Sequence, residues 1–198
     1  MSDPNFYFES ERLRMSYWLA SSDEHCAFLF KLFNEPHFIE GEGNTGVDSV
    51  EKARTRLGRF AEEHARNGYG SFLVSLKESG KHIGTVSLMR GKDSVITLPD
   101  VGFAITQEET KKGYATEAAK ATIEWLKRER GVDGVFGFCD PGNTKSRRAL
   151  ERAGLEFKGI MTLYQFGGIE GCCYALPELK DPKEYGVGIY PATKSSSA

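Results

Sequence analysis

The order of strands and helices legible in this chain, βααββ–βαβαββ, predicts an α/β fold, and three observations carry it. Apolar residues alternate in several short runs, as they do in strands with one buried face. They recur at helical steps in longer runs between those strands. In the second half, a strand runs into a Gly/Ala loop that opens a long helix. At 198 residues, 39% hydrophobic and 27% charged, the chain is long enough to bury a core and ordinary enough in composition to be globular. One domain is expected over residues 1–180. Residues 181–198, rich in Pro, Lys and Ser, are expected to form a surface tail, partly disordered.

Leu13, Met15, Tyr17 and Leu19 alternate as a first strand. Asp23 caps a helix with Ala27, Phe30, Leu32 and Phe33 on its apolar side, and Asn34-Glu35-Pro36 ends it. The chain then turns polar and glycine-rich. Asp48 and Glu51 stand at capping-box spacing, and Val50, Ala53, Leu57, Phe60 and Ala61 recur at helical steps, so a second helix is expected from about Ser49 to Ala65. Phe72, Val74 and Leu76 alternate, Glu78-Ser79-Gly80-Lys81 turns, and His82 to Arg90 returns as the second arm of a hairpin. Asp100 to Ile105 is a further strand, and the helix from about Gly113 buries Ala115, Ala118, Ala119, Thr122 and Leu126. Val132 to Phe138 reads as a strand and Thr144 to Ala153 as a helix with Gly154 just past its end. Leu155 to Phe166 and Cys172 to Leu176 make a final pair.

Composition excludes several classes of function. A net charge of −2 lacks the basic excess of a nucleic-acid-coating protein, so DNA is not an expected partner. No run approaches the ~18 apolar residues of a membrane span, and the first residues lack the basic-then-apolar order of a signal peptide. A cytoplasmic location follows as the expectation. Cys26, Cys139, Cys172 and Cys173 show no C-x-x-C spacing, so they are expected to be reduced packing thiols, with no metal site.

The most informative stretch is Thr110-Lys111-Lys112-Gly113-Tyr114-Ala115-Thr116-Glu117-Ala118, following the strand Asp100 to Ile105. A glycine at the mouth of a helix lets backbone N–H groups approach a phosphate without a Cβ between them, and the helix dipole favours the anion. Read alone, Gly113 is equally a turn residue and Ala115 to Ala119 a packing face. Gly41-Glu42-Gly43-Asn44-Thr45-Gly46 also has G-x-G-x-x-G form, but it follows a helix and a Pro-containing segment, where a dinucleotide loop would follow a strand.

With its strand and helix, the Thr110 to Ala118 stretch resembles the acyl-CoA loop of the GCN5-related N-acetyltransferases (GNAT), in particular the ribosomal-protein N-acetyltransferase-like branch. Asn143-Thr144-Lys145-Ser146, followed by a helix ending in Ala153-Gly154-Leu155, resembles a second motif of that family, and a looser likeness extends from Glu11-Arg12-Leu13 to about Leu176. The resemblance implies the GNAT fold, a mixed central sheet of six to seven strands flanked by about four helices. It implies transfer of acetyl from acetyl-CoA, as co-substrate, to a primary amine by direct attack. Gly102, Phe103, Ala104, Lys111, Lys112, Gly113, Tyr114, Ala115, Thr116, Asn143 and Ser146 then hold the cofactor.

Ser146 is expected near the cofactor sulfur as an acid to the leaving thiolate, with Tyr164 as a second catalytic candidate. His37, Glu40 and Glu42 are candidate acceptor contacts. Thr110 departs from the family's Gln or Arg, with Lys111 or Lys112 able to restore the charge, and Leu150 stands where many members carry a Tyr. No base is assigned, so an α-amine, partly neutral at pH ~8, is the easier acceptor compared with a lysine near ~10.4. The acceptor is a protein N-terminus or a small molecule, and a homodimer stays open. The alternatives are an idle acyl-CoA sensor, a protein-interaction domain whose loop and helix features are structural only, and an enzyme acting on antibiotics, polyamines or amino acids.

Overall fold

Eight strands form one sheet in a computed structural model that describes residue 3, residues 5–92 and residues 94–190. In chain order the elements are β1 (Tyr7–Glu9), β2 (Leu13–Tyr17), α1 (Asp23–Phe33), α2 (Pro36–Glu42), α3 (Val50–Asn67), β3 (Ser71–Leu76), β4 (His82–Met89), β5 (Asp100–Ile105), α4 (Tyr114–Arg130), β6 (Phe136–Cys139), α5 (Thr144–Arg152), β7 (Glu156–Leu163) and β8 (Ile169–Ala175). The spatial order is β1-β2-β3-β4-β5-β6-β8-β7. Every neighbouring pair is antiparallel except β5 with β6, so the sheet is mixed.

The two additions to the expected count have local causes. β1 is three residues long and shows too little alternation to register in the sequence. Pro36, read as the stop of α1, is instead the start of α2: it occupies the first turn, where a missing N–H costs nothing, and Gly43 at φ +79° closes the helix. The cap of α3 also moves by one residue, from Asp48 to Ser49, whose side chain accepts from the Lys52 N–H.

Helices cover both faces. On one, Ala118, Ala119, Ile123, Trp125 and Leu126 of α4 and Leu150 of α5 pack on Phe72, Val74, Val86, Leu88, Val101 and Ile105. On the other, α1, α2 and α3 bury Leu29, Leu32, Phe38, Ala53, Leu57 and Phe60 against Trp18 and Leu73. A third cluster covers the far half of the sheet with Ile96, Phe136, Leu163, Cys173, Leu179 and Val187. Val187 is fully buried and Pro182–Tyr185 forms a 3₁₀ turn, so the segment expected as a surface tail from residue 181 packs on the sheet through residue 187. The disorder expected over Lys194 to Ala198 lies outside the described residues. Among the described residues no helix is long and apolar enough to cross a membrane.

Candidate functional site

β5 and β6 run parallel but share one residue pair, Asp100 with Phe136, next to the bond from the Phe136 N–H to the Pro99 carbonyl. Beyond it the strands part. β5 stays paired with β4 as far as Ile105 and β6 with β8 as far as Cys139. A V-shaped slot therefore opens through the sheet, with strand-edge backbone groups available on its inner sides.

The mouth of the slot carries the loop singled out in the sequence. Gly113 caps α4 at φ +86°, a left-handed conformation natural to glycine, and supplies no side chain to bond the first N–H groups of the helix. Lys111 is the only non-glycine residue with positive φ among the described residues, at 65°. The loop is tied down from several sides. Glu109 is buried and bonded to Lys112 at 2.6 Å and to Lys81 at 2.8 Å, so Lys112 is committed within the protein. The Glu117 carboxylate accepts from the Ser10 hydroxyl and the Arg12 N–H, each at 2.7 Å, and from the Arg12 guanidinium at 2.6 and 2.7 Å. Thr110 turns its hydroxyl inward to the Gln107 carbonyl at 2.8 Å.

Deeper in the slot, Asn143 caps α5, its Oδ1 accepting the Ser146 N–H at 3.0 Å. The cap occupies that oxygen and leaves the amide NH₂ directed toward α2, where a Cβ on Gly41 would lie 3.8 Å from it. Ser146 is half-buried and lies beside the Cys139 thiol. Burial, reinforced by the neighbouring Cys172, pushes that thiol up to about 11. Leu150, at the position of the family's Tyr, is packed over Gly137: a Cβ there would come within 2.5 Å of its side chain.

The candidate acceptor residues separate. His37 donates from Nε2 to the Ile105 carbonyl at 2.9 Å, and its Nδ1 lies 3.3 Å from Glu35, which accepts the Gln107 N–H at 2.8 Å. His37 thus fastens α2 to the end of β5. Together with Pro36, Glu40 and Gln107 it lines an open cleft of about 470 Å³. Glu42 is on the last turn of α2 and is exposed to solvent. Tyr164 belongs to a 3₁₀ turn after β7, not to the strand as expected, and its ring meets Tyr190 edge-on at 5.0 Å. Among the described residues no hydrogen bond joins it to Ser146.

One residue was quoted in the sequence only as the start of a strand. Val101 and Ile105 face α4, whereas Ala104 packs toward α1 and α3, so Asp100, Gly102 and Ala104 share the opposite face. Asp100 has no ion-pair partner among the described residues, and burial lifts its carboxyl from 3.8 to about 7. The signal was present: an acid opens an apolar strand and shares a face with Gly102 and Ala104, whose small side chains leave the strand surface bare. Asp100 stands on one face of the slot and Ser146 with Cys139 on the other. Among the described residues no group of three or more His, Cys, Asp or Glu is placed to hold a metal ion.

Comparison with known proteins agrees with this geometry. The family profile described as acetyltransferase (GNAT) domain matches residues 12–156. A Bacillus subtilis protein named YkkB, described as uncharacterized, is 25% identical over 151 residues, covering 75% of this chain and 84% of its own. The crystal structure of ribosomal-protein-S5-alanine acetyltransferase from Vibrio fischeri superposes with a TM-score of 0.70 at 22% identity, over 86% of this chain and 96% of that one. The ribosomal L7/L12 α-N-protein acetyltransferase RimL, solved with coenzyme A, also gives 0.70, at 17% identity over 86% and 97%. At such identities the superpositions establish the fold.

Proposed function

Because this chain belongs to the acetyltransferase (GNAT) family, we propose that it transfers acetyl from acetyl-CoA to a primary amine, by direct attack with both substrates bound. The observation that carries this reading is the slot: one pair joins β5 to β6, and beyond it the slot lies between the Gly113 loop and two proton-handling groups on opposite faces.

In this reading the pyrophosphate sits on the N–H groups of Tyr114, Ala115 and Thr116, with Lys111 able to approach it. The pantetheine arm lies along β5, held by the free amide NH₂ of Asn143. Strand-edge N–H groups between Gly102 and Ala104 polarise the thioester carbonyl and hold the oxyanion. The acceptor enters from the face of Asp100, whose carboxylate begins two residues, ~7 Å, before Gly102 and takes the ammonium proton directly or through one water. The amine lone pair forms the new C–N bond, the C–S bond breaks, and the sulfur leaves with its electron pair. Ser146 donates a proton to that sulfur, and the second proton, which the nitrogen sheds on becoming an amide, passes to solvent, from which Ser146 is reprotonated.

The acceptor we favour is an α-amine at a protein N-terminus. Its pKa of ~7.7–8.0 matches a base near 7 far better than lysine at ~10.4 does. The Vibrio fischeri and RimL proteins are named for such acceptors, which supports the choice. Two measurements test the proposal. Acetyl-CoA at ~100 times its Kd should stabilise the fold by ~2.7 kcal/mol. Thiol release should be faster with an α-amine peptide than with its N-blocked, lysine-containing counterpart; equal release from both at pH 7 would remove the α-amine assignment.

A further inference from the structure

The β1–β2 turn, far from the acetyl-CoA loop in sequence, is bonded into that loop through Arg12. Its guanidinium bonds Glu117 through Nε and Nη2, donates from Nη1 to the Lys112 carbonyl at 3.1 Å, and lies 4.5 Å from the centre of the Tyr114 ring. Nη2 is also within 3.5 Å of the point where a Cβ on Gly113 would stand. One side chain therefore touches or borders Lys112, Gly113, Tyr114 and Glu117, the residues that shape the helix mouth. Ser10 and the Arg12 N–H complete the ring of donors around the Glu117 carboxylate.

The chemistry of Glu117 makes this arrangement consequential. A carboxylate in the first turn of a helix complements the dipole when nothing else is bound. Beside a pyrophosphate on the same N-terminus it repels the ligand. Burial alone would raise its carboxyl, but the bonds from Arg12 and Ser10 together hold it below the ordinary range, so the charge is present and needs neutralising. Arg12 supplies the opposite charge and fixes the loop carbonyl in one contact set. Thr110 offers no charge at the family's Gln/Arg position, and Lys112 is held by Glu109.

We infer that Arg12 is a positioning residue for the phosphate part of acetyl-CoA: it holds the Lys112–Gly113 loop in its receptive shape and cancels the Glu117 charge that would otherwise oppose the anion. The inference rests on the acetyl-CoA reading above and extends the cofactor site to the β1–β2 turn. Its signature is dependence on the phosphates of the donor. Acetyl-CoA and acetyl-pantetheine share the thioester arm, and only the first carries the pyrophosphate.

The test compares kcat/KM for these two donors in wild type, Arg12→Ala, Arg12→Lys and Arg12→Ala/Glu117→Gln, with melting curves for each. In Arg12→Ala the loss should be about tenfold greater with acetyl-CoA than with acetyl-pantetheine, the scale of one lost charge-assisted bond. Arg12→Lys, which keeps the charge and loses the fork, should fall between. Adding Glu117→Gln should recover at least about threefold of the acetyl-CoA loss, because the repelling charge is gone. Equal losses with both donors, or no recovery in the double variant, would reduce Arg12 to a fold contact. If Arg12→Ala does not fold, the donor ratio of Arg12→Lys decides in the same way. A wild type that binds no CoA by calorimetry overturns the cofactor reading itself, whereas a wild type that binds with a donor-independent Arg12 effect overturns this inference alone.

Discussion

The two ends of the slot are built on opposite plans. At the Gly113 end, charged side chains are spent on one another: Glu109 with Lys81 and Lys112, Glu117 with Arg12. At the reacting end Asp100 has no cationic partner among the described residues, Ser146 has a neutral thiol as its neighbour, and the strand between them bears only Gly102 and Ala104 on the acceptor face. The first plan fixes a shape that can receive an anion without rearranging, which lowers the ordering cost of binding. The second leaves the Asp100 carboxyl without a cationic partner, so its affinity for protons is set by burial and remains available to the chemistry. Binding and turnover should therefore respond to different substitutions.

The largest effect is expected at the rigid end. Gly113→Val forces a branched residue into φ +86° and places methyl groups where the pyrophosphate would lie. CoA affinity should fall by at least about a hundredfold, together with a loss of about 1–3 kcal/mol in stability from the backbone alone. Calorimetry with CoA and a thermal melt separate the two contributions. Retention of wild-type affinity would show that the loop does not hold the pyrophosphate and would end the contrast drawn above.

At the uncommitted end, Asp100→Asn should lower kcat by about a hundredfold, the lower range for loss of a general base. The pH behaviour distinguishes this from a packing effect. The folded carboxyl holds its proton up to about 7, so wild-type activity should rise with pH through that value, and the variant should lose this limb. Stability runs the other way. A carboxyl raised from 3.8 to about 7 binds more protons folded than unfolded between those values, so stability falls as pH rises across that window. Asp100→Asn should therefore melt above wild type at pH 8, with the gap closing by pH 4. A variant no more stable than wild type at pH 8 would mean that the carboxyl is not held out of water as described.

What was legible in the sequence follows the same division. Gly113 could be located because a close approach at a helix mouth restricts which residues fit, and that restriction is local, whereas Asn143 and Ser146 were reached through the likeness of Asn143-Thr144-Lys145-Ser146 to a family motif. The helix α2 was missed because Gly41 and Gly43 read as loop and Pro36 as a terminator, whereas tertiary packing through Phe38 and His37 holds the helix in place. Asp100 could be placed on a strand but not recognised as a base, since its proton affinity comes from neighbours distant in sequence. Arg12 and Glu117 stand 105 residues apart, and no local spacing joins them. The preference for an α-amine, first argued from the lack of a base, now rests on a match between the amine and a carboxyl near 7.

The smallest expected effect concerns the thiol beside the reacting centre. Cys139 sits at the end of β6, beside Ser146 and facing Cys172 across the strand pair, where a nucleophile for an acyl-enzyme route would be convenient. Its chemistry argues against that use. A thiol must ionise to attack a thioester, and burial with Cys172 alongside pushes Cys139 up to about 11, leaving it protonated at neutral pH. Direct attack by the amine then needs nothing from it. Cys139→Ala should leave kcat within about twofold, whereas Ser146→Ala, which removes the donor to the departing sulfur, should lower kcat by about tenfold with little change in KM, the pattern of an interaction made in the transition state. The measurement is steady-state thiol release for both variants over pH 6–9, a range spanning the ~8.5 of a free thiol, with mass spectrometry of wild type mixed with acetyl-CoA alone. An acetylated protein in that mixture, or a Cys139→Ala enzyme as slow as Ser146→Ala, would replace direct transfer by a covalent route and make the sulfur, not Asp100, the centre of the reacting end.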